Sequence, residues 1–303
     1  MVTLVLGLMA VISPAKYLDL LPGEVREALN GVIELLNRAF DGHWLPNDLG
    51  DAAYYYIRNR GKMIRPTLVL LTAYSLRGNV GNAILPAASV ELIHIASLLQ
   101  DDIMDRQMVR RGVKTPYSIY GPNMAMLASD LAIAKAVEYA IRSGDNDIVF
   151  ELLNASIKLA AGQGFEMELS GKDSITIDDY MRLVYNKTAA LIESSMVVGA
   201  YSVGVKDPST INVLRDVGRN VGLAFQVRDD VIDYQNLDPG NPMVFDDEVN
   251  IVKILIKEGL DMASSIARAR SMVNELLDNA VRGLSGLIDG SNVLIKYINL
   301  LRI

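Results

Sequence analysis

The segment GRNVGLAFQVRDDVID, residues 218–233, has the spacing of a helix with chemistry along one side. Gly218, Gly222, Gln226, Asp229 and Asp233 recur every three or four residues and so share one helical stripe. The two glycines leave that stripe without bulk, as the wall of a pocket requires. Asp229-Asp230-Val231-Ile232-Asp233 has a counterpart far upstream in Asp101-Asp102-Ile103-Met104-Asp105, at the same spacing and preceded by Leu98 and Leu99. Carboxylates four residues apart on a helix have side-chain bases about 5–6 Å apart. At an effective dielectric near 20 such a pair repels by roughly 3 kcal/mol, so an apolar helix does not readily keep it without a cation. One acidic triplet alone reads as an exposed acidic turn. Two, in separate apolar helices, read as carboxylates that face each other across a helical bundle and bind a hard divalent ion, magnesium above all.

The rest of the chain carries the same period. Alternating runs bounded by hairpin turns do not recur, and no proline lies between Asn123 and Asp207, which leaves room for several long helices. Breaks fall at Pro22, Pro46, Gly61, Gly78 with Gly81, Pro116 with Pro122, Gly144, Gly171, Pro208, and Pro239 with Pro242. Pro66 suits the first turn of a helix running towards Leu76, Gly78 suits its end, and Thr176 with Asp179 resembles a capping box. The expectation is an all-α protein of about ten or more helices with no sheet. A single domain over residues 1–303 is expected, because the two acidic motifs lie far apart and make sense only together.

Composition limits the function. Of 303 residues, 50% are hydrophobic and 21% charged, enough for a large core and unlike a disordered chain. The net charge is -7 and no lysine- or arginine-rich block stands out, so nucleic acid is not an expected partner. An acidic protein binds an anionic substrate only through local basic clusters or bound metal. The absence of cysteine excludes disulfides, thiolate metal sites and cysteine nucleophiles, and agrees with a cytoplasmic location. Met1 to Ile12 is uncharged, lacks a basic leader and is too short to span a bilayer, so no stable membrane insertion is expected.

Basic clusters are present. Arg110, Arg111 and Gly112 follow the first acidic motif, Gly61, Lys62, Arg65 and Pro66 form a second group, and Lys187 with Thr188 a third. Singly these read as surface charges. Beside metal-binding carboxylates they describe sites for diphosphates, where arginine forks and lysine charges neutralise oxygens. Separate groups imply two anionic substrates. His94 lies seven residues before Asp101 on the same face, as a structural histidine or a diphosphate neighbour. Gly162-Gln163-Gly164-Phe165-Glu166 is a weaker signal, whose glycines also suit close helix packing.

These motifs resemble the trans-isoprenyl diphosphate synthase family, the polyprenyl synthetases, and within it most a geranylgeranyl diphosphate synthase. The resemblance rests on Asp101 to Gly112, on Phe225 to Asp233, on Gly61 to Pro66 with Met63 in place of a frequent basic residue, on Gly162-Gln163, and on Tyr185 to Ala189. Their order and spacing match over about residues 50–235. The resemblance implies an all-α bundle of the isoprenoid synthase type around a central prenyl-chain cavity, a homodimer, and condensation of isopentenyl diphosphate with an allylic prenyl diphosphate. It implies that Asp101, Asp105 and Asp229 hold magnesium on the allylic diphosphate, with Asp102, Asp230 and Asp233 in support. Arg110, Lys187 and Gln226 would contact that substrate. On physical grounds the fixed dipoles of Thr188, Gln226 and the backbone near Lys187 would help stabilise the cation formed from it. Lys62, Arg65, His94 and Arg111 would bind isopentenyl diphosphate.

The sequence departs from the family in places. Gln100 replaces a frequent histidine. After Asp233 a lysine-bearing loop is expected, yet the chain runs Asp238-Pro239-Gly240-Asn241-Pro242 and its next lysine is Lys253. That keeps open a non-catalytic or regulatory subunit. A class I terpene cyclase is a further alternative, against which Asp229 to Asp233 and the Lys62/Arg65 group argue. In the family that the chain resembles, bulky aromatic side chains four or five residues before the first aspartate close the pocket at fifteen carbons. Here those positions are the small Ser97 and Ala96, with Ile93, Leu92 and Ser89 deeper. The resemblance therefore implies a product longer than farnesyl diphosphate, geranylgeranyl diphosphate first and twenty-five carbons or more as an alternative.

Overall fold

A computed structural model describes residues 19–42, 45–110, 112–170, 172, 174–236, 249–287 and 292–303. Arg111, Gly171, the Met1 to Ile12 segment and the Asp238 to Pro242 run lie outside the described residues. The chain is all-α and packs as two compact units. The first is Met1–Leu152 with Val198–Lys206, the second Leu153–Val197 with Asp207–Ile303.

In the first unit, α1 (Gly23–Asn37) and α2 (Asn47–Arg58) start after Pro22 and Pro46, and α3 (Ile64–Ser75) carries Pro66 in its first turn. Proline is tolerated there because those amides lack intrahelical partners anyway. At the far end of α3 the left-handed residue is Arg77 at φ 57, not Gly78. Gly78 donates back to the Ala73 carbonyl at 3.2 Å. It must lack a Cβ because the Val203 side chain fills that position.

α4 (Ile84–Met104) is buried along most of its length. Val80–Met104 is apolar and long enough to cross a membrane, but 67% of its apolar window is buried inside the protein. Its main partner is α6 (Pro122–Arg142), which follows the short α5 (Pro116–Tyr120). α6 buries Ala125, Ala128, Ser129, Ala132 and Ala136, small residues that let two helices approach closely. The Ser89 hydroxyl donates to the Ala136 carbonyl at 2.6 Å, and that of Ser129 to the Ala96 carbonyl at 3.3 Å.

The expectation of no sheet needs one correction. β1 (Val109–Arg110) and β2 (Val113–Lys114) form an antiparallel ribbon. Strands of two residues are too short to show an alternating pattern. The ribbon depends on a tight turn, where Gly112 sits at φ 80.

α7 (Asn146–Leu169) leads into the second unit, followed by α8 (Ile177–Val184), which opens on the capping box of Thr176 and Asp179. A π turn at Tyr185–Ala189 joins α8 to α9 (Ala190–Tyr201). α10 (Pro208–Gln235) is capped by Asp207, and α11 (Ile251–Lys257), α12 (Met262–Leu287) and α13 (Asn292–Asn299) complete the order. Gly218 and Gly222 do not line a pocket wall. A Cβ on Gly218 would lie 2.6 Å from the Glu193 Cα, and one on Gly222 2.5 Å from the Ala189 Cα. They are glycine because the backbone at the end of the π turn and just beyond it crosses α10 at contact. Gly162 does the same on α7, where a Cβ would lie 2.5 Å from the Lys187 nitrogen, whereas nothing lies within 4 Å of one on Gly164.

The two glycines of that motif therefore separate by experiment. Gly162→Ala is expected to destabilise the protein by about 1–3 kcal/mol or more through overpacking. Gly164→Ala is expected to be neutral or to stabilise by up to about 1 kcal/mol through helix propensity. Urea denaturation of both variants checks the contrast.

Candidate active site

The last turn of α4 presents its carboxylates in two ways. Asp101 is half-buried and Asp105 exposed, while Asp102 is fully buried. Asp102 accepts hydrogen bonds from the Tyr56 hydroxyl of α2 and from Arg110 Nε, the latter at 2.9 Å. Arg110 Nη2 also donates to Gln107 Oε1 at 3.1 Å, so the ribbon folds back on the end of the helix. Burial works against the Arg110 charge, but the Asp102 carboxylate more than offsets it and raises its pKa. Burial, then the bond to Asp102, pushes Tyr56 well above its ordinary range, which keeps it a hydroxyl donor.

Lys62, Arg65 and His94 come together in one open cleft of about 440 Å³, its mouth included. Arg65 Nη1 lies 3.3 Å from His94 Nε2. The Gly61 to Arg65 stretch lines the same cleft, and Met63, at φ 53, gives the start of α3 no side-chain cap. Uncapped amides and the positive end of the helix dipole favour an anion there, as do the basic side chains. The sequence reading missed Tyr56 and Glu91, which line this cleft too. Glu91 is 6% exposed, and its signal was a carboxylate in an apolar run one turn before His94.

In the second unit Thr188, Gln226 and Asp230 form a chain. Thr188 Oγ1 donates to Gln226 Oε1 at 3.0 Å, and Gln226 Nε2 to Asp230 Oδ1 at 2.8 Å. Asp230 also accepts from the Tyr180 hydroxyl at 2.8 Å and the Ile251 backbone amide at 3.0 Å, which joins α8, α10 and α11. Burial pushes Asp230 up to about 6, with these donors pulling the other way. Asp229 is half-exposed, with Arg228 Nη1 at 3.1 Å from Oδ1, and Asp233 is exposed one turn on. Lys187 is ion-paired with Glu166, a carboxylate that the sequence reading quoted without a role. Glu166 accepts from Gln163 Nε2 at 3.0 Å as well.

Both acidic motifs thus share one plan. The middle carboxylate is buried on a tyrosine hydroxyl from another helix, the first is half-buried and the last exposed. Among the described residues no group of three or more histidine or acidic side chains could hold a metal by itself. Magnesium takes oxygen ligands, commonly one or two carboxylates, and completes its shell with water and substrate phosphate. Asp101 and Asp105 at the end of α4, and Asp229 on α10, are each oxygen donors at or near the surface, the ligand chemistry that magnesium takes.

Comparison with known proteins agrees. The family model described as polyprenyl synthetase matches residues 46–272. The short chain isoprenyl diphosphate synthase of Methanothermobacter thermautotrophicus is 34% identical over 261 residues, 84% of this chain and 76% of the relative. The geranylgeranyl diphosphate synthase of Sulfolobus acidocaldarius is 29% identical over 282 residues, 89% of this chain and 83% of the relative. The crystal structure of geranylgeranyl pyrophosphate synthetase from Pyrococcus horikoshii superposes with a TM-score of 0.84 at 27% identity, over 95% of this chain and 98% of that one.

The anchoring role of the tyrosines has a direct test. Tyr180→Phe removes one donor from the buried Asp230 and is expected to cost about 1–3 kcal/mol, read as a lower urea midpoint.

Proposed function

We propose that this chain, which belongs to the polyprenyl synthetase family, condenses isopentenyl diphosphate with an allylic prenyl diphosphate into a longer linear trans-prenyl diphosphate. Helix α4 carries the reading. Its C-terminal turn bears Asp101 and ends on Asp105 as the C-cap, and His94, two turns earlier than Asp101, shares a cleft with Lys62 and Arg65. One helix thus carries a carboxylate pair at Asp101 and Asp105 and, two turns earlier, one wall of a basic cleft. Two diphosphates with different demands fit that division.

Lys62, Arg65 and His94 bind isopentenyl diphosphate through charge and hydrogen bonds. Asp101, Asp105 and Asp229 would hold magnesium, which supplies the positive charge that lets diphosphate leave the allylic carbon. Arg110, fixed by Asp102, and Gln226 meet the allylic diphosphate. Lys187 leaves Glu166 to do the same. The Thr188 and Gln226 dipoles, already ordered by their mutual bond, would help stabilise the developing cation with little reorganisation. The isopentenyl double bond attacks that cation, and the proton then lost goes to the released diphosphate, so no side chain need act as base.

Geranylgeranyl diphosphate is the proposed product, in keeping with the names of the Sulfolobus and Pyrococcus relatives. Ala96 is 2% exposed and sits against α6, so it belongs to helix packing. Ser97, half-buried and one turn before Asp101, is the small residue left to line the chain's path. A homodimer is part of the same proposal, supported by Phe150, Leu153 and Ile157, exposed apolar residues along one stripe of α7. A cytoplasmic location fits the lack of cysteine and the burial of the apolar α4.

Asp101→Ala and Asp229→Ala are each expected to lower condensation by at least about a hundredfold. Lys62→Ala and Arg65→Ala are expected mainly to raise KM for isopentenyl diphosphate. Steady-state kinetics with magnesium, varying each substrate in turn, checks both. Near-normal turnover of either aspartate variant with an intact fold would overturn the assignment. Ser97→Phe is expected to shorten the product to fifteen carbons by chromatography. Ala96→Phe is expected instead to lower stability.

A further inference from the structure

The π turn at Tyr185–Ala189 sits in the middle of a helical run from Ile177 to Tyr201. A π turn adds a residue to the local repeat, is less favourable than α-helix, and persists only where its surroundings hold it. Here it displaces the Lys187–Thr188 pair relative to a regular helix. The turn is squeezed between the backbone approaches at Gly162 of α7 and Gly222 of α10. Those approaches limit its space but leave its register to side chains.

Tyr185 opens the turn. Lys158 Nζ of α7 donates to its hydroxyl at 2.6 Å and lies 5.0 Å from its ring centre. The Arg219 guanidinium of α10 lies 5.3 Å from the same centre, within cation–π range. Both cations are also gripped by Glu193, a 2% exposed carboxylate on α9, beyond the turn. Glu193 lies 3.5 Å from Lys158 Nζ and 3.3 Å from Arg219 Nε, and Arg215 Nη1 adds a third contact at 3.5 Å. The residue entering the turn and a residue past its exit are thus tied together through cations from the two flanking helices.

We propose that Tyr185 is a positioning residue, which with Lys158, Arg219 and Glu193 clamps the π turn in the register that aims Lys187 and Thr188. Tyr185 touches no reacting atom in this scheme. It acts through Thr188, whose hydroxyl bonds Gln226, and through Lys187. The proposal rests on the functional reading above, since it assigns the clamp to the allylic half of that site.

The test compares wild type with Tyr185→Leu, Tyr185→Phe and Lys158→Met, each assayed well below its own melting temperature. Tyr185→Leu and Lys158→Met are expected to lower kcat by at least about tenfold or raise KM for the allylic diphosphate by a similar factor, with KM for isopentenyl diphosphate within about twofold. Tyr185→Phe keeps the ring contacts and is expected to recover most of the loss seen in Tyr185→Leu. If Tyr185→Leu fails to fold, Lys158→Met and Tyr185→Phe carry the same comparison. A lower melting temperature with kcat and both KM values unchanged would overturn the clamp and leave a structural ion cluster. Equal rises in both KM values would overturn it too. A folded wild type that makes no prenyl product would instead overturn the functional reading, and the clamp with it.

Discussion

A carboxylate taken out of water costs several kcal/mol unless hydrogen-bond donors meet it where it lies. Asp102 and Asp230 are both in that position, and much of the arrangement around each acidic motif follows from how they are met. Tyr56 and Arg110 meet the first, and Tyr180, Gln226 and the Ile251 amide meet the second. These bonds set the rotation of α4 and α10 about their own axes. With the middle carboxylate turned inward, helical spacing leaves its neighbours one position before and three after at or near the surface. The costly buried charge is thus the reason that the outer carboxylates are presented as a set.

The donors have further consequences. Arg110 bonds both Asp102 and Gln107, so the ribbon that carries it is tied to the end of α4. Gln226 bonds Asp230 on one side and Thr188 on the other, so the register of α10 is passed to the π turn. A network of this kind is favourable only when every member is satisfied.

Close backbone contact is the second constraint. Gly162, Gly218 and Gly222 meet the π turn and the first turns of α9 at distances that no Cβ could occupy. Helices that approach this closely leave little room for a wide turn to relax into regular α-helix. The same economy of volume appears in the first unit, where the small face of α6 meets α4. There it explains why an apolar helix of membrane-spanning length is a core element: 67% of its apolar window is covered by protein.

The sequence by itself determined the helical class, most element starts, both acidic motifs, the basic groups and the family. Those features are written in local spacing, since helical period, proline and capping preferences, and motif order involve residues near one another in the chain. Only the tertiary structure decided which aspartate of each motif is buried, because the deciding partners lie far off, Tyr56 46 residues from Asp102 and Tyr180 50 residues from Asp230. It likewise decided that Gly218 and Gly222 serve a helix crossing and not a pocket, and that Glu166 takes Lys187. The π turn belongs to the same class, since its local cost is offset by flanking helices. Spacing along one chain specifies which side chains share a face, but what that face meets depends on segments the local pattern does not contain.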